Sequence, residues 1–257
     1  MKKVYRSYAK VNIFLKIVGA REEYHEIVSR FVLLDKLYDT MWFEPNVGMT
    51  FDIIGDFECE RKDNTIYKAY QAILDYIPQK RIVEFCKHHK LVVFKKIPKF
   101  AGLGGGSSNA ATFIKMINEM FTLGLSVEEM AKIGFKVGAD VPFFSYGYKS
   151  ANVSGVGEIV EEFKDEIPEL KLLVPEGSKC NTKEIYKVYR KLFMSENEPE
   201  FAKKLIDKTS KEILEKYEPE KLNDLFKAVL KKHPEYHEYK RDEWFLSGSG
   251  SALFKAK

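Results

Sequence analysis

Residues 98–112 read Pro98-Lys-Phe-Ala-Gly-Leu-Gly-Gly-Gly-Ser-Ser-Asn-Ala-Ala-Thr112, and four of the five positions from Gly102 to Gly106 are glycine. Glycine loses more backbone freedom on ordering than any other residue, so such a run calls for a local reason. Two readings are open on the residues alone. One is a flexible linker between a strand and a helix. The other is a cradle whose backbone N–H groups converge on an anion at the positive end of a helix. Ser107 and Ser108 add hydroxyl donors, and a strong helical pattern stands directly behind them, which favours the cradle. Neither common nucleotide fingerprint fits. No Lys-Ser or Lys-Thr follows the last glycine, and the sixth position counted from Gly102 is Ser107 rather than glycine.

The flanks are regular. Residues 91–97 form an apolar strand pattern that stops at Pro98, and residues 109–121 place Ala110, Phe113, Ile114 and Ile117 on one helical face. A second helix is expected over 126–137, with Ser126 as N-cap and Glu129 at the capping-box position. Residues 64–76 are also helical in spacing. At the N-terminus, Tyr5, Ala9, Val11, Ile13, Leu15 and Ile17 occupy odd positions, whereas Arg6, Tyr8, Lys10, Asn12 and Lys16 occupy even ones. That period of two predicts a strand with one buried face. Residues 31–34 and 39–43 read as short strands, as do 170–174 and, interrupted at Gly248 and Gly250, 244–254. Lysine-rich helical segments follow at 183–193, 200–215 and 220–232. The change of composition places a domain boundary near 150, giving domains 1–150 and 151–257. Strands and helices mix without a strict βαβ alternation, so the expected class is α+β.

The whole chain has 257 residues, 45% apolar and 31% charged, which suits one large or two modest globular domains. A net charge of +4 suits a small anionic substrate and falls short of a nucleic-acid binder. Cys59, Cys86 and Cys180 lie far apart with no CxxC pair, as in a protein of reduced thiols. Residues 1–18 lack the continuous apolar region of a signal peptide, and no uncharged stretch reaches the ~18 residues of a membrane span. The expected location is cytoplasmic, away from membranes. No protein metal site is expected. His88 and His89, adjacent on a strand, would point to opposite faces, and His233 and His237 enclose Pro234 without the HExxH order.

Two side chains then stand out. Lys10 lies on the polar face of the first strand beside Asn12; it is either a solvated edge lysine or a working cation. Asp140 lies in Gly138-Ala-Asp-Val-Pro-Phe-Phe144, where Pro142 biases Val141 towards an extended backbone. It either caps a turn or sits at the rim of a site. Phosphoryl transfer needs a cradle, charge neutralisation and a group that orients or deprotonates the attacking hydroxyl, and a Lys–Asp pair supplies the last two.

At this point the chain resembles the GHMP kinase superfamily. Ala9-Lys-Val-Asn-Ile-Phe-Leu15 resembles its opening strand and Tyr24-His25-Glu26 a substrate motif. Gly102 to Thr112 and Gly138-Ala-Asp-Val-Pro-Phe143 carry its most specific wording, and Ser247-Gly-Ser-Gly-Ser251 resembles its C-terminal glycine motif. Within the superfamily the wording is most similar to the branch acting on 4-diphosphocytidyl-2-C-methyl-D-erythritol, in non-mevalonate isoprenoid precursor biosynthesis. Gly19 to His25 is one residue shorter than that branch's segment and carries Glu23 in place of a glycine.

The resemblance implies a two-domain GHMP kinase fold, with a ribosomal-protein-like ATP domain and a ferredoxin-like substrate domain. It implies a small-molecule kinase that phosphorylates the 2-hydroxyl of a cytidine diphosphate-linked alcohol, with ATP as donor and Mg2+ as its counter-ion. Lys10 and Asp140 would be the catalytic pair. Pro98, Gly102, Leu103, Gly104, Gly105, Gly106, Ser107 and Ser108 would bind ATP. Tyr24 and Tyr186 would sandwich the cytosine ring, although for either aromatic alone core packing is the usual reading. Asn12, His25 and Lys96 would hold the rest of the substrate. Neither nucleic acid nor membrane is an expected partner, and the expected assembly is a monomer or weak homodimer.

Overall fold

The strand foreseen at the N-terminus is β1 (Tyr5–Arg21), followed by β2 (Tyr24–Pro45), β3 (Ile53–Ile54), α1 (Thr65–Tyr76), α2 (Lys80–His88) and β4 (His89–Phe94). Then come α3 (Gly105–Phe121), α4 (Val127–Phe135), α5 (Val141–Tyr146), β5 (Ser150–Gly155), β6 (Ile159–Glu162) and β7 (Leu170–Leu173). The remainder is α6 (Thr182–Leu192), α7 (Pro199–Lys203), α8 (Ser210–Lys216), α9 (Pro219–Leu222), α10 (Asp224–Lys232), α11 (Tyr236–Arg241), β8 (Phe245–Leu246) and β9 (Leu253–Ala256). This computed structural model describes residues 2–22 and 24–257; Glu23, singled out above, lies outside the described residues. The chain is α+β, as the mixed pattern predicts.

It divides into two compact units that interleave along the sequence. One takes in Met1–Ala9, Leu34–Lys99 and Gly104–Gly147; the other Lys10–Leu33, Phe100–Leu103 and Tyr148–Lys257.

In the first unit, β2 residues Thr40 to Pro45 pair antiparallel with β4, and β3 lies parallel beside β4. Met41, Leu91 and Val93 pack against Ile66, Ala69 and Ile73 of α1 and Phe113, Ile114 and Ile117 of α3. Each large apolar side chain buried this way contributes roughly 1.5–3 kcal/mol. Asn64 caps α1 by accepting the Ile66 N–H at 2.9 Å. Ser126 and Glu129 close the foreseen capping box on α4.

Four local expectations change here. Helix α3 starts at Gly105 rather than at Asn109, so the last two glycines and both serines form its first turn. Strand β4 stops at Phe94 because the Asp39 carboxylate takes the N–H groups of Lys96 and Ile97. Val141 is helical, not extended. Pro142 sits in the first turn of α5, where its missing N–H is no loss, and burial of Val141 and Phe143 outweighs the bias of the residue before proline. His88 ends α2 and His89 begins β4, so the two histidines do not share one strand.

In the second unit, β2 pairs antiparallel with β5, β5 with β6, and β9 lies between β7 and β8. Leu15, Ile17 and Ile27 pack against Ile185 and Tyr189 of α6 and Leu225 and Val229 of α10. From Ala9 to Ile17 β1 is buried on both faces, including Lys10, Asn12 and Lys16, which corrects the expectation of one polar, open face. The helices foreseen over 200–215 and 220–232 each break in two. Thr209 and Asn223 cap α8 and α10, the role these residue types prefer over a helix interior.

Candidate active site

The glycine stretch is held differently at its two ends. In the first unit, Gly104 adopts φ 70° and ψ 15°, a left-handed conformation, as N-cap of α3. Having no side chain, it offers the helix no cap, so the first-turn amides of Gly105, Gly106 and Ser107 keep their capacity for an incoming acceptor. The helix dipole adds positive potential there. Thr65 of α1 donates to the Gly106 carbonyl at 2.7 Å and fixes this turn. Ser107 Oγ stands 3.9 Å from where a Cβ on Gly138 would lie, which brings the turn carrying Asp140 beside the cradle within the same unit. Asp140 is half-buried at the N-cap of α5, and its side chain makes no capping bond.

Beneath the cradle lies a polar network not foreseen from the sequence. The fully buried Asp39 carboxylate accepts the N–H groups of Lys96 (2.7 Å) and Ile97 (2.9 Å), the Asn109 amide (3.0 Å) and the Lys95 ammonium. Lys95 also donates to Asn109 Oδ1 at 2.9 Å. Asn109 donates to Ser7 Oγ at 2.8 Å, and Ser7 donates to Ser108 Oγ at 2.8 Å. One acid thus ties the end of β4 to the first turns of α3. Lys96, the residue expected to hold substrate, points its ammonium over the rings of Tyr38 (5.9 Å) and Phe94 (5.7 Å); Lys95 is the lysine that turns inward.

In the second unit, Lys10 is only 3% exposed, which removes the reading of a solvated edge lysine. Its ammonium donates to Asn12 Oδ1 at 2.6 Å and lies 4.6 Å from the Phe31 ring centroid. Asn12 Nδ2 donates to Ser29 Oγ at 3.0 Å, and Ser29 donates to the Phe14 carbonyl. The Lys10 N–H donates to the Leu103 carbonyl at 3.0 Å. Ser247 Oγ donates to the Gly102 carbonyl at 3.1 Å, and the Ala252 N–H to that of Ala101 at 2.9 Å. The two glycine motifs therefore meet at residues 101–103 and 247–252.

His25 packs on Tyr186 with ring centroids 5.0 Å apart, while Tyr24 is largely exposed. Arg190 donates to His25 Nε2 at 3.3 Å, so that nitrogen carries the lone pair. Burial, then the Arg190 charge, holds the imidazole pKa below its ordinary value, leaving it neutral near pH 7. Among the described residues, no three His, Cys, Asp or Glu side chains group to hold a metal ion.

Gly102 provides a test of how tightly the motifs fit. Its φ is +72°, and an added Cβ would overlap the Ser247 carbonyl oxygen and come within 3.0 Å of that of Gly250. Gly124 has nearly the same φ, +71°, but open space around it. Gly124→Ala is expected to cost about 1 kcal/mol from the left-handed backbone alone. Gly102→Ala is expected to cost about 3 kcal/mol, since overpacking adds to that strain. Urea unfolding of the two variants side by side measures the difference.

The family described as GHMP kinases N terminal domain matches residues 64–148. A 4-diphosphocytidyl-2-C-methyl-D-erythritol kinase of Sulfurimonas denitrificans is 46% identical over 259 residues, covering 99% of this chain and 97% of the relative. One of Helicobacter pylori is 37% identical over 271 residues, covering 100% and 95%. A crystal structure of 4-(cytidine 5'-diphospho)-2C-methyl-D-erythritol kinase superposes with a TM-score of 0.75 at 26% identity, covering 99% of this chain and 90% of that one. Mevalonate kinase of Methanococcus jannaschii shares the fold at a TM-score of 0.61 and 18% identity, covering 100% and 90%. With identity of this level running from end to end, the chain belongs to the 4-diphosphocytidyl-2-C-methyl-D-erythritol kinase family.

Proposed function

We propose that this chain transfers the γ-phosphate of ATP to the 2-hydroxyl of 4-diphosphocytidyl-2-C-methyl-D-erythritol, in non-mevalonate isoprenoid precursor biosynthesis. The observation that carries the reading is the end-to-end identity with kinases of that name. The uncapped, left-handed start of α3 adds a physical reason, because it offers amides and dipole to a phosphate.

On this reading, residues 98–108 wrap the nucleotide phosphates, with Ser107 and Ser108 at the helix start. Asp140 accepts the proton, or the hydrogen bond, of the attacking hydroxyl. Lys10 neutralises charge on the transferring oxygens. A charge-assisted bond of this kind contributes about 1.5–3 kcal/mol. Tyr24 and Tyr186 flank the cytosine, where two flat rings suit a flat base. Neutral His25 offers the N–H of Nδ1 while Arg190 occupies Nε2, Asn12 keeps a second amide hydrogen beyond the one given to Ser29, and Lys96 offers a cation to the diphosphate. Mg2+ would enter with ATP as its counter-ion and neutralise charge on its phosphates.

ATP binding is assigned to residues 1–150 and the C-terminal domain to 151–257; the compact units differ from that linear division, since Lys10–Leu33 and Phe100–Leu103 group with Tyr148–Lys257. The protein is assigned to the cytoplasm as a monomer or weak homodimer, with neither nucleic acid nor membrane as partner. No helix among the described residues is long and apolar enough to cross a membrane. Steady-state turnover with the cytidyl compound, mevalonate and homoserine tests the reading. The cytidyl compound should be favoured in kcat/KM by at least about a hundredfold, and preference for either other alcohol overturns the assignment.

A further inference from the structure

We infer that Asn223 is a positioning residue for phosphoryl transfer, whose carboxamide clamps the 247–251 turn against residues 101–103 of the glycine loop. This rests on the kinase reading above. Asn223 is 2% exposed and stands in extended backbone between α9 and α10. Its side chain uses every polar function it has. Oδ1 accepts the Leu225 N–H at 3.0 Å and caps α10. Nδ2 donates to the carbonyls of Leu246 at 2.9 Å and Gly248 at 2.8 Å. The Asn223 backbone bridges in parallel to Leu15 of β1. The next carboxylate, Asp224, accepts the Ile17 N–H at 2.7 Å and pairs with Lys16. This short link therefore grips both the strand that carries Lys10 and Asn12 and the turn that touches the loop.

The clamped turn presses directly on functional backbone. A Cβ on Gly248 would lie 3.3 Å from the Gly102 carbonyl and 3.4 Å from Asn12 Oδ1. Ser247 and Ala252 bond to Gly102 and Ala101, and Lys10 bonds to Leu103. Two buried carbonyls deprived of their donor must turn to find another. Turning them moves Gly248, and with it the support under Gly102. The capping role is separable from the clamp. Serine or aspartate at 223 still accepts the Leu225 N–H but no longer presents an amide with two hydrogens.

Asn223→Ser and Asn223→Asp test the clamp. In both, the KM for ATP should rise about tenfold while the KM for the cytidyl compound stays within about twofold. Without any ligand, the amides of residues 101–103 should exchange hydrogen at least about tenfold faster than in the unsubstituted protein. The far-ultraviolet circular dichroism should not change. A folded variant with unaltered ATP KM and unaltered exchange overturns the assignment. So does loss of the fold in both variants, which would make the Asn223 amide a support of the whole fold rather than of the glycine loop. If the unsubstituted protein fails to phosphorylate the cytidyl compound, the kinase reading falls instead, and the exchange rates still decide the clamp.

Discussion

Asp140→Asn is expected to lower kcat about a thousandfold while the KM for ATP moves less than about threefold. The substitution keeps the size and planarity of the side chain but removes its capacity to take a proton. Asp140 sits at the start of α5, whose first residues Val141, Pro142 and Phe143 are buried and anchor the backbone there. The effect is expected on the chemical step, and urea unfolding of the variant close to that of the unsubstituted protein separates it from an effect on the fold. Stopped turnover with intact ATP binding, read by rapid quench, identifies Asp140 as the group acting on the hydroxyl. A variant with near-unchanged kcat removes it from the mechanism.

The second large effect concerns stability. Asp39→Ala is expected to destabilise the protein by about 3–5 kcal/mol, the range found when one partner of a buried ion pair is removed. Asp39 is fully buried, and the Lys95 side chain opposite is only 10% exposed. Truncation leaves that ammonium with a single neutral acceptor, Asn109 Oδ1. It also leaves the N–H groups of Lys96 and Ile97 without their acceptor. The double variant Asp39→Ala with Lys95→Met removes the stranded charge and should recover about 1–2 kcal/mol. Equilibrium urea unfolding of the three proteins checks both figures. A loss below about 1 kcal/mol in the single variant would show that water reaches the site and meets these groups.

How much of this was legible beforehand differs from residue to residue. The capping box at Ser126 and Glu129, the Asn64-capped helix and the β1 strand follow from local rules that tertiary contacts did not override. Glycine is a poor helix former, by about 1 kcal/mol per residue, so the sequence places the start of α3 later than the structure does. Here the left-handed turn at Gly104, whose carbonyl accepts the Ser108 N–H at 2.8 Å, and the burial of α3 against α1 carry the helix back through Gly105 and Gly106. Lys10, Asn12 and Lys16 are polar, and their alternation with apolar residues predicts an open face on β1. Each proved buried and partnered, and partners distant in sequence, such as Ser29 and Asp224, leave no local trace.

The candidate site was legible where backbone chemistry dictates composition, as in the glycines and serines of 102–108. It was not legible where a side chain acts through long-range pairing. Lys95 and Lys96 are adjacent and chemically alike, and only the acid at Asp39, 56 positions away, decides which turns inward. Asn223 falls inside the helix expected over 220–232, and nothing in the sequence marks it as a cap or a clamp. Its second function depends on two carbonyls that the fold brings beside it.

Amide proton–nitrogen spectra recorded during titration with ATP test the central claim most directly. The amides of Gly105, Gly106 and Ser107 should show the largest shifts and become protected from exchange as the phosphates seat on the start of α3. Saturation with ATP that leaves those amides unmoved, while others shift, would contradict the account.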